Sequence, residues 1–191
     1  MPDAITLLKT DHKAVNKLFR QFEGAGDGAF VTKRRLVDDI IRELSIHAEI
    51  EEQIFYPAVR AAEVPDGMDM VFESLEEHLV AKRILADLEK MDPEHERFDA
   101  KVTVLIEVIR HHVEEEEEEL FPAVRKVLKR KVLGDLGDTM EEAKGIVATR
   151  PHPASPDTPP ANVLAGLASA AIDRARDAGH DALGKAKDLV G

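Results

Sequence analysis

The chain has 191 residues, no cysteine and a formal net charge of −12 at pH 7. That length can bury one sizeable core and still leave a tail, and the missing cysteine excludes disulfides and thiolate metal sites, so any transition metal must be held by nitrogen and oxygen. The charge excess lies on residues 1–148, because 149–160 and 161–191 are each neutral; such a surface disfavours nucleic acid and anionic lipid and attracts cations.

Residues 1–12 lack the basic start and the apolar run of a signal peptide. No apolar run approaches bilayer-spanning length, so the expectation is a cytoplasmic protein without a transmembrane segment. Ile5, Leu8, His12, Val15, Phe19 and Phe22 recur at three- and four-residue steps and predict a first helix, ended by Gly24, Gly26 and Gly28. Leu36, Ile40, Leu44, His47, Glu51, Phe55 and Ala58 predict a second, which fades before Pro65, Asp66 and Gly67. Val71, Leu75, His78, Leu85 and Leu88 predict a third, which stops at Asp92 because Pro93 disfavours helix in the residue before it. Val102, Leu105, Ile109, His112, Glu116, Leu120 and Val124 predict a fourth. Short connections make successive helices antiparallel, so the predicted fold is all-α, an up-down four-helix bundle with its core in 4–128 of a domain spanning 1–148. Pro57 and Pro122 interrupt continuous helical patterns, and each is expected to kink its helix or mark a boundary. A weaker amphipathic stretch covers 132–147. Residues 149–160 carry five prolines and read as an extended linker. Residues 161–191 read as an Ala-rich amphipathic tail helix of marginal independent stability. Three dispositions of the tail stay open: docking on the bundle, self-association with a second chain, or lying on a surface.

One pattern occurs twice: a histidine, then His-x-x-x-Glu, then Pro-Ala-Val-Arg. The first copy is His12, His47, Glu51 and Pro57-Ala58-Val59-Arg60; the second is His78, His112, Glu116 and Pro122-Ala123-Val124-Arg125. The two histidines are 35 positions apart in one copy and 34 in the other. Each of the six polar residues falls in the apolar stripe of its helix. A carboxylate aimed into a core is costly unless paired or coordinated, and two like charges in one low-dielectric space are costlier. A cation pair removes both penalties and accepts the imidazoles. Residues four apart share a helix face, so His47 with Glu51, and His112 with Glu116, reach one metal or bridge two. One buried histidine is commonly a satisfied core residue, but four on four helices with two carboxylates in duplicate are poorly explained that way. His111 has a glutamate four residues on as well, but the repeat alignment chooses His112 and leaves His111 lateral. Of Glu114 to Glu119, Glu116 has the inward phase; the others are expected in solvent, with Glu115 or Glu119 as candidate guides for cations. Glu49 and Glu52 are expected to face water. Tyr56, the one tyrosine, is expected to pack near Pro57. A ligand or redox role for it is the alternative, although five residues from Glu51 is the wrong spacing unless the helix bulges. His95, His152 and His180 are assigned no role.

Four segments together resemble the hemerythrin-like, or HHE cation-binding, domains. They are Asp11-His12-Lys13-Ala14-Val15, His47 through Pro57, Glu77-His78-Leu79-Val80-Ala81-Lys82, and His112 through Pro122. The resemblance covers about 4–128. It implies a centre of two iron ions with an oxo, hydroxo or water bridge, bridged also by Glu51 and Glu116. Manganese and zinc also suit nitrogen and oxygen ligands. Oxygen-carrying hemerythrins are similar but use a further histidine four residues before the His78 position, where this chain has Ser74, and an aspartate five residues after the His112 position, where this chain has Glu116 at four. These differences resemble bacterial, actinobacterial-type members and imply an open metal position near Ser74. The implied function is binding of, or reaction with, hydrogen peroxide, dioxygen or nitric oxide, with catalase-like peroxide disproportionation as its enzymatic form. The other readings are an oxygen, nitric-oxide or iron sensor acting through the tail, and an iron-binding protein.

Overall fold

The computed structural model describes residues 2–156, 165, 166 and 168–173. Asp3 opens the first helix by accepting the Thr6 backbone N–H at 2.8 Å, which satisfies one of the free amides of the first turn. The helices are α1 (Ala4–Glu23), α2 (Phe30–Ile50), α3 (Tyr56–Ala61), α4 (Gly67–Lys90), α5 (Phe98–Glu115), α6 (Phe121–Val127) and α7 (Arg130–Lys144). A π-helical turn, Glu51–Phe55, continues α2 into α3, and a second, Glu116–Leu120, continues α5 into α6. Four rods result (α1, α2–α3, α4 and α5–α6), and they form the expected antiparallel bundle.

Pro57 and Pro122 lie in the first turns of α3 and α6. In each π turn the hydrogen bond spans five residues: Tyr56 N–H donates to the Glu51 carbonyl and Phe121 N–H to the Glu116 carbonyl. The ladder shifts register there, so a proline, which lacks an N–H, is accommodated immediately afterwards. The expected disturbance is therefore an inserted residue ahead of each proline.

Two apolar clusters fill the bundle. One contains Ile5, Leu8, Phe55, Tyr56, Val59, Leu120, Phe121 and Val124. The other contains Val15, Phe19, Ile40, Leu85, Leu88, Phe98, Leu105 and Ile109. His12 falls between Leu8 and Val15, and His47 between Leu44 and Ile50, so the polar layer lies between the two clusters.

The weak amphipathic stretch forms α7, which packs along α1 and brings Leu133 and Met140 into the first cluster. Gly137 permits this approach: a Cβ there would clash with the backbone of Pro2, Asp3 and Ala4. Gly137→Ala is expected to cost about 1–3 kcal/mol, the usual range for overpacking, read as a lower thermal midpoint with unchanged cation binding.

After α7, Val147, Ala148 and Pro151 are buried. Asp173, also buried, accepts the backbone N–H groups of Thr149 and Arg150 at 3.0 Å and faces His152 Nε2 at 3.1 Å. Residues 157–164, 167 and 174–191 lie outside the described residues, and with them most of the expected 161–191 helix. Among the described residues no helix is long and apolar enough to cross a membrane.

Candidate metal centre

His12 on α1, His47 on α2, His78 on α4 and His112 on α5 all point into the layer between the clusters, and each is at most 5% exposed. Glu51 and Glu116, the first residues of the two π turns, are 0% and 1% exposed. Glu51 Oε2 lies 3.1 Å from His47 Nε2 and 3.3 Å from His78 Nε2. Glu116 Oε2 lies 3.4 Å from His12 Nε2 and 3.6 Å from His112 Nε2. Each carboxylate therefore spans one histidine from the α1–α2 side and one from the α4–α5 side. One ligand atom each from His12, His47, Glu51 and Glu116 lies within 4.8 Å of the others, and the same holds for Glu51, His78 and His112.

Among the described residues, His12 Nε2, His47 Nε2, both Glu51 oxygens and Glu116 Oε2 are buried without a hydrogen-bond partner. An unmade buried hydrogen bond costs about 1–3 kcal/mol, and a cation at the centre would satisfy all of them. Burial and the neighbouring Glu116 charge push the Glu51 carboxyl well above the usual range. Burial acts on Glu116 in the same direction, but the imidazoles of His112 and His12 outweigh it and hold Glu116 low. Burial lowers His47 to about 4, against the pull of Asp11. It also lowers His78, against Glu52. For His112 burial is outweighed by the Glu116 and Glu77 carboxylates, and its pKa rises.

A second ring of carboxylates fixes the imidazoles. Glu117 Oε1, Glu52 Oε1 and Glu77 Oε2 lie 2.9 Å from Nδ1 of His12, His78 and His112 respectively. Asp11 Oδ2 faces His47 Nδ1 at 3.8 Å. An ionised carboxylate only accepts, so Nδ1 carries the proton and the Nε2 lone pair turns inward. His78 Nε2 and His112 Nε2 face each other at 3.3 Å; without a cation one proton joins them, and the raised pKa of His112 against the lowered one of His78 makes His112 its donor. Three of these carboxylates are themselves anchored: Lys82 Nζ donates to both Glu52 oxygens at 2.7 Å, Lys144 Nζ on α7 to Asp11 at 2.6 Å, and Lys9 Nζ pairs with Glu117 at 3.1 Å.

The ring corrects the expected exposure of three glutamates. Glu52, expected in water, is 5% exposed and grips His78 and Lys82. Glu49, also expected in water, is 7% exposed; Gln53 donates to it, and Gly166 lies against this pair. Glu117, expected with its neighbours in solvent, is half-buried against His12 and Lys9. The duplication held the signal for most of the ring. Asp11 and Glu77 each precede the first histidine of their copy and lie against the second: Glu77 holds His112 at 2.9 Å, and Asp11 faces His47 at 3.8 Å. Glu52 and Glu117 each follow the inward glutamate and hold the first histidine of the opposite copy. Lys82 and Lys144 have no counterpart in that pattern.

The π turns place the residue five beyond each glutamate over the layer. Tyr56 donates to Glu116 Oε1 at 3.0 Å, and its ring lies 5.8 Å from that of His78. Burial, with the charges of Glu116 and Glu51, pushes the Tyr56 hydroxyl well above its ordinary pKa, which keeps it a hydrogen-bond donor. Phe121, the corresponding residue of the second copy, stacks on His12 at 5.9 Å. Ser74 donates to the Met70 carbonyl at 3.0 Å and borders a cavity shared with Glu116. His111 is lateral and exposed, as expected. His95 accepts the Arg97 backbone N–H, His152 pairs with Asp173, and His180 lies outside the described residues.

The family model for the Hemerythrin HHE cation binding domain matches residues 3–124. The chain belongs to this family. An uncharacterised hemerythrin-like protein of Schizosaccharomyces pombe is 28% identical over 167 residues, 87% of this chain and 81% of that protein. A DNA nickase of Nostoc is 28% identical over 144 residues, 75% of this chain but 40% of the nickase. The crystal structure of a hemerythrin HHE cation binding domain-containing protein from Mycobacterium kansasii matches with a TM-score of 0.64 at 26% identity, covering 76% of this chain and 89% of the other.

In this hemerythrin-family bundle a small chamber of about 20 Å³ adjoins the four imidazoles on the side of the second apolar cluster. Val15, Leu44, Ala81, Leu85 and Ile109 make its wall apolar, and Lys82 is the cationic group on it. One water-sized occupant fits such a space.

Proposed function

We propose that this chain is a non-haem di-iron protein whose centre reacts with hydrogen peroxide, dioxygen or nitric oxide. The supporting observation is the ring of four inward Nε2 atoms around two carboxylates, closed by an apolar chamber that admits only a small molecule. His12 and His47 would hold one ion, His78 and His112 the other, and Glu51 and Glu116 would bridge them. Iron would supply the electron exchange that such substrates require. The residues around it would prepare the site: four outer carboxylates orient the imidazoles, the chamber wall excludes bulk water, and Tyr56 directs a proton at Glu116. In its enzymatic form the reaction is disproportionation of two hydrogen peroxide molecules to dioxygen and two waters. Iron-loaded protein, verified by metal analysis at about two irons per chain, is expected to release dioxygen when peroxide is added, and Glu51→Ala is expected to release none. Loaded wild-type protein that releases no dioxygen overturns the enzymatic form.

The packing of residue 166 against Gln53 and Glu49, next to the first π turn, favours a second reading in which the metal state is sensed through the C-terminal segment. Limited proteolysis of reduced and oxidised protein tests it, with identical cleavage in both states as the refuting result.

A further inference from the structure

A second cluster of cation ligands lies outside the bundle core. Glu77, His111 and Glu115 each offer one ligand atom, all within 4.8 Å of one another. His111 Nε2 is 3.3 Å from Glu115 Oε1 and 3.9 Å from Glu77 Oε1, and the His111 side chain is 62% exposed. Two contacts tie this cluster to the interior. The other oxygen of Glu77 is the one that holds His112 Nδ1 at 2.9 Å. Glu115 also borders a cavity of about 30 Å³ lined by Met70, Glu73, Ser74, Glu116, Glu119 and Leu120. That volume exceeds what one water needs. Glu116, whose buried Oε2 lacks a hydrogen-bond partner, belongs both to this cavity and to the inner centre. The surface approach therefore carries Glu73, Glu77, Glu115 and Glu119.

We infer that Glu77, His111 and Glu115 form a staging site for a divalent transition-metal cation, which passes Glu73 and Glu119 through the cavity at Ser74 to Glu116. The inference rests on the reading of the inner centre as an iron site. One imidazole and two carboxylates suit ferrous iron. Three ligands at an exposed position release a cation readily, as staging requires. Crowded carboxylates at the mouth of a cleft raise local cation concentration and accelerate capture.

Anaerobic mixing of cation-free protein with ferrous iron, quenched by a chelator at set times, gives both a loading rate and a final iron count. The double variant His111→Ala/Glu115→Gln is expected to load about tenfold more slowly at low salt, with less salt dependence and the wild-type final count. His95→Ala/Glu96→Gln likewise removes one imidazole and one carboxylate, both exposed, from the loop before α5, and is expected to load at the wild-type rate. Wild-type loading by the His111/Glu115 variant, or equal slowing in the control, overturns the staging site, and so does a reduced final count at an unchanged rate. Wild-type protein that binds no iron instead refutes the reading of the inner centre.

Discussion

Replacing Glu51 with glutamine is expected to abolish binding at the paired site and to stabilise the cation-free protein. Glu51 is fully buried, neither of its oxygens has a hydrogen-bond partner among the described residues, and burial beside Glu116 holds its pKa well above the usual range. A group with a raised folded-state pKa contributes stability below its unfolded pKa and loses that contribution as pH rises through the folded one. The Glu51 contribution to cation-free stability therefore declines as pH rises above about 4.3. Glutamine keeps the shape without the ionisation. The variant is expected to gain about 1–3 kcal/mol at neutral pH, the scale of one unsatisfied buried group, with a gap to wild type that widens with pH. A bound cation reverses the order. At a free concentration about a thousandfold above Kd it adds about 4 kcal/mol, or roughly 8–16 °C in thermal midpoint for a chain this long. Wild type should show that rise on loading and release protons as it loads; Glu51→Gln should show neither. Scanning calorimetry with and without ferrous iron decides, and a Glu51→Gln protein that gains the full rise would remove Glu51 from the site.

Helical phase placed the six inward residues correctly because their environment imposes a strict rule: each must occupy the apolar stripe of its own helix. The same rule fails for residues one step off the stripe. Glu52 and Glu117 are adjacent to inward glutamates and read as solvated by phase, yet the inserted residue of each π turn rotates the rods locally. Their partners also lie on other helices, which periodicity within one helix does not address. Tyr56 illustrates the effect: five residues from Glu51 is off-face in an α-helix and on-face across a π turn, and the hydroxyl reaches Glu116. The proline after each glutamate marked the place of the disturbance without revealing its kind. α7 was legible as amphipathic, but its role behind His47, through Lys144 and Asp11, depends on a contact across 133 residues. Compositional neutrality of 149–160 likewise gave no sign that Asp173 gathers the amides of Thr149 and Arg150.

Glu52→Gln is expected to weaken both the fold and one half of the metal centre, and the two losses are separable. Glu52 accepts from His78 Nδ1 and, with both oxygens, from Lys82 Nζ. Burial alone would raise its pKa, but His78 and Lys82 outweigh burial and keep it ionised. An amide in its place leaves the Lys82 ammonium without its counter-charge in a site where the lysine side chain is only 10% exposed. Breaking a buried pair from one side costs about 3–5 kcal/mol. The aliphatic stem of lysine lets the charge retreat toward water, so the low end, about 3 kcal/mol or roughly 6–12 °C, is expected. The second loss falls on His78, whose Nδ1 proton no longer meets a full negative charge. Losing such an outer partner typically reduces metal affinity 10–100-fold. On the proposed two-ion reading it should act on the ion that His78 and His112 would hold and spare the one that His12 and His47 would hold. Calorimetric titration should then resolve one tight and one weakened ion. Adding Lys82→Met removes the stranded charge and should restore most of the stability, while the weakened ion stays weak. Recovery of affinity along with stability would show that Glu52 serves Lys82 alone. Two ions bound at wild-type strength by Glu52→Gln would show that the carboxylate does not orient His78.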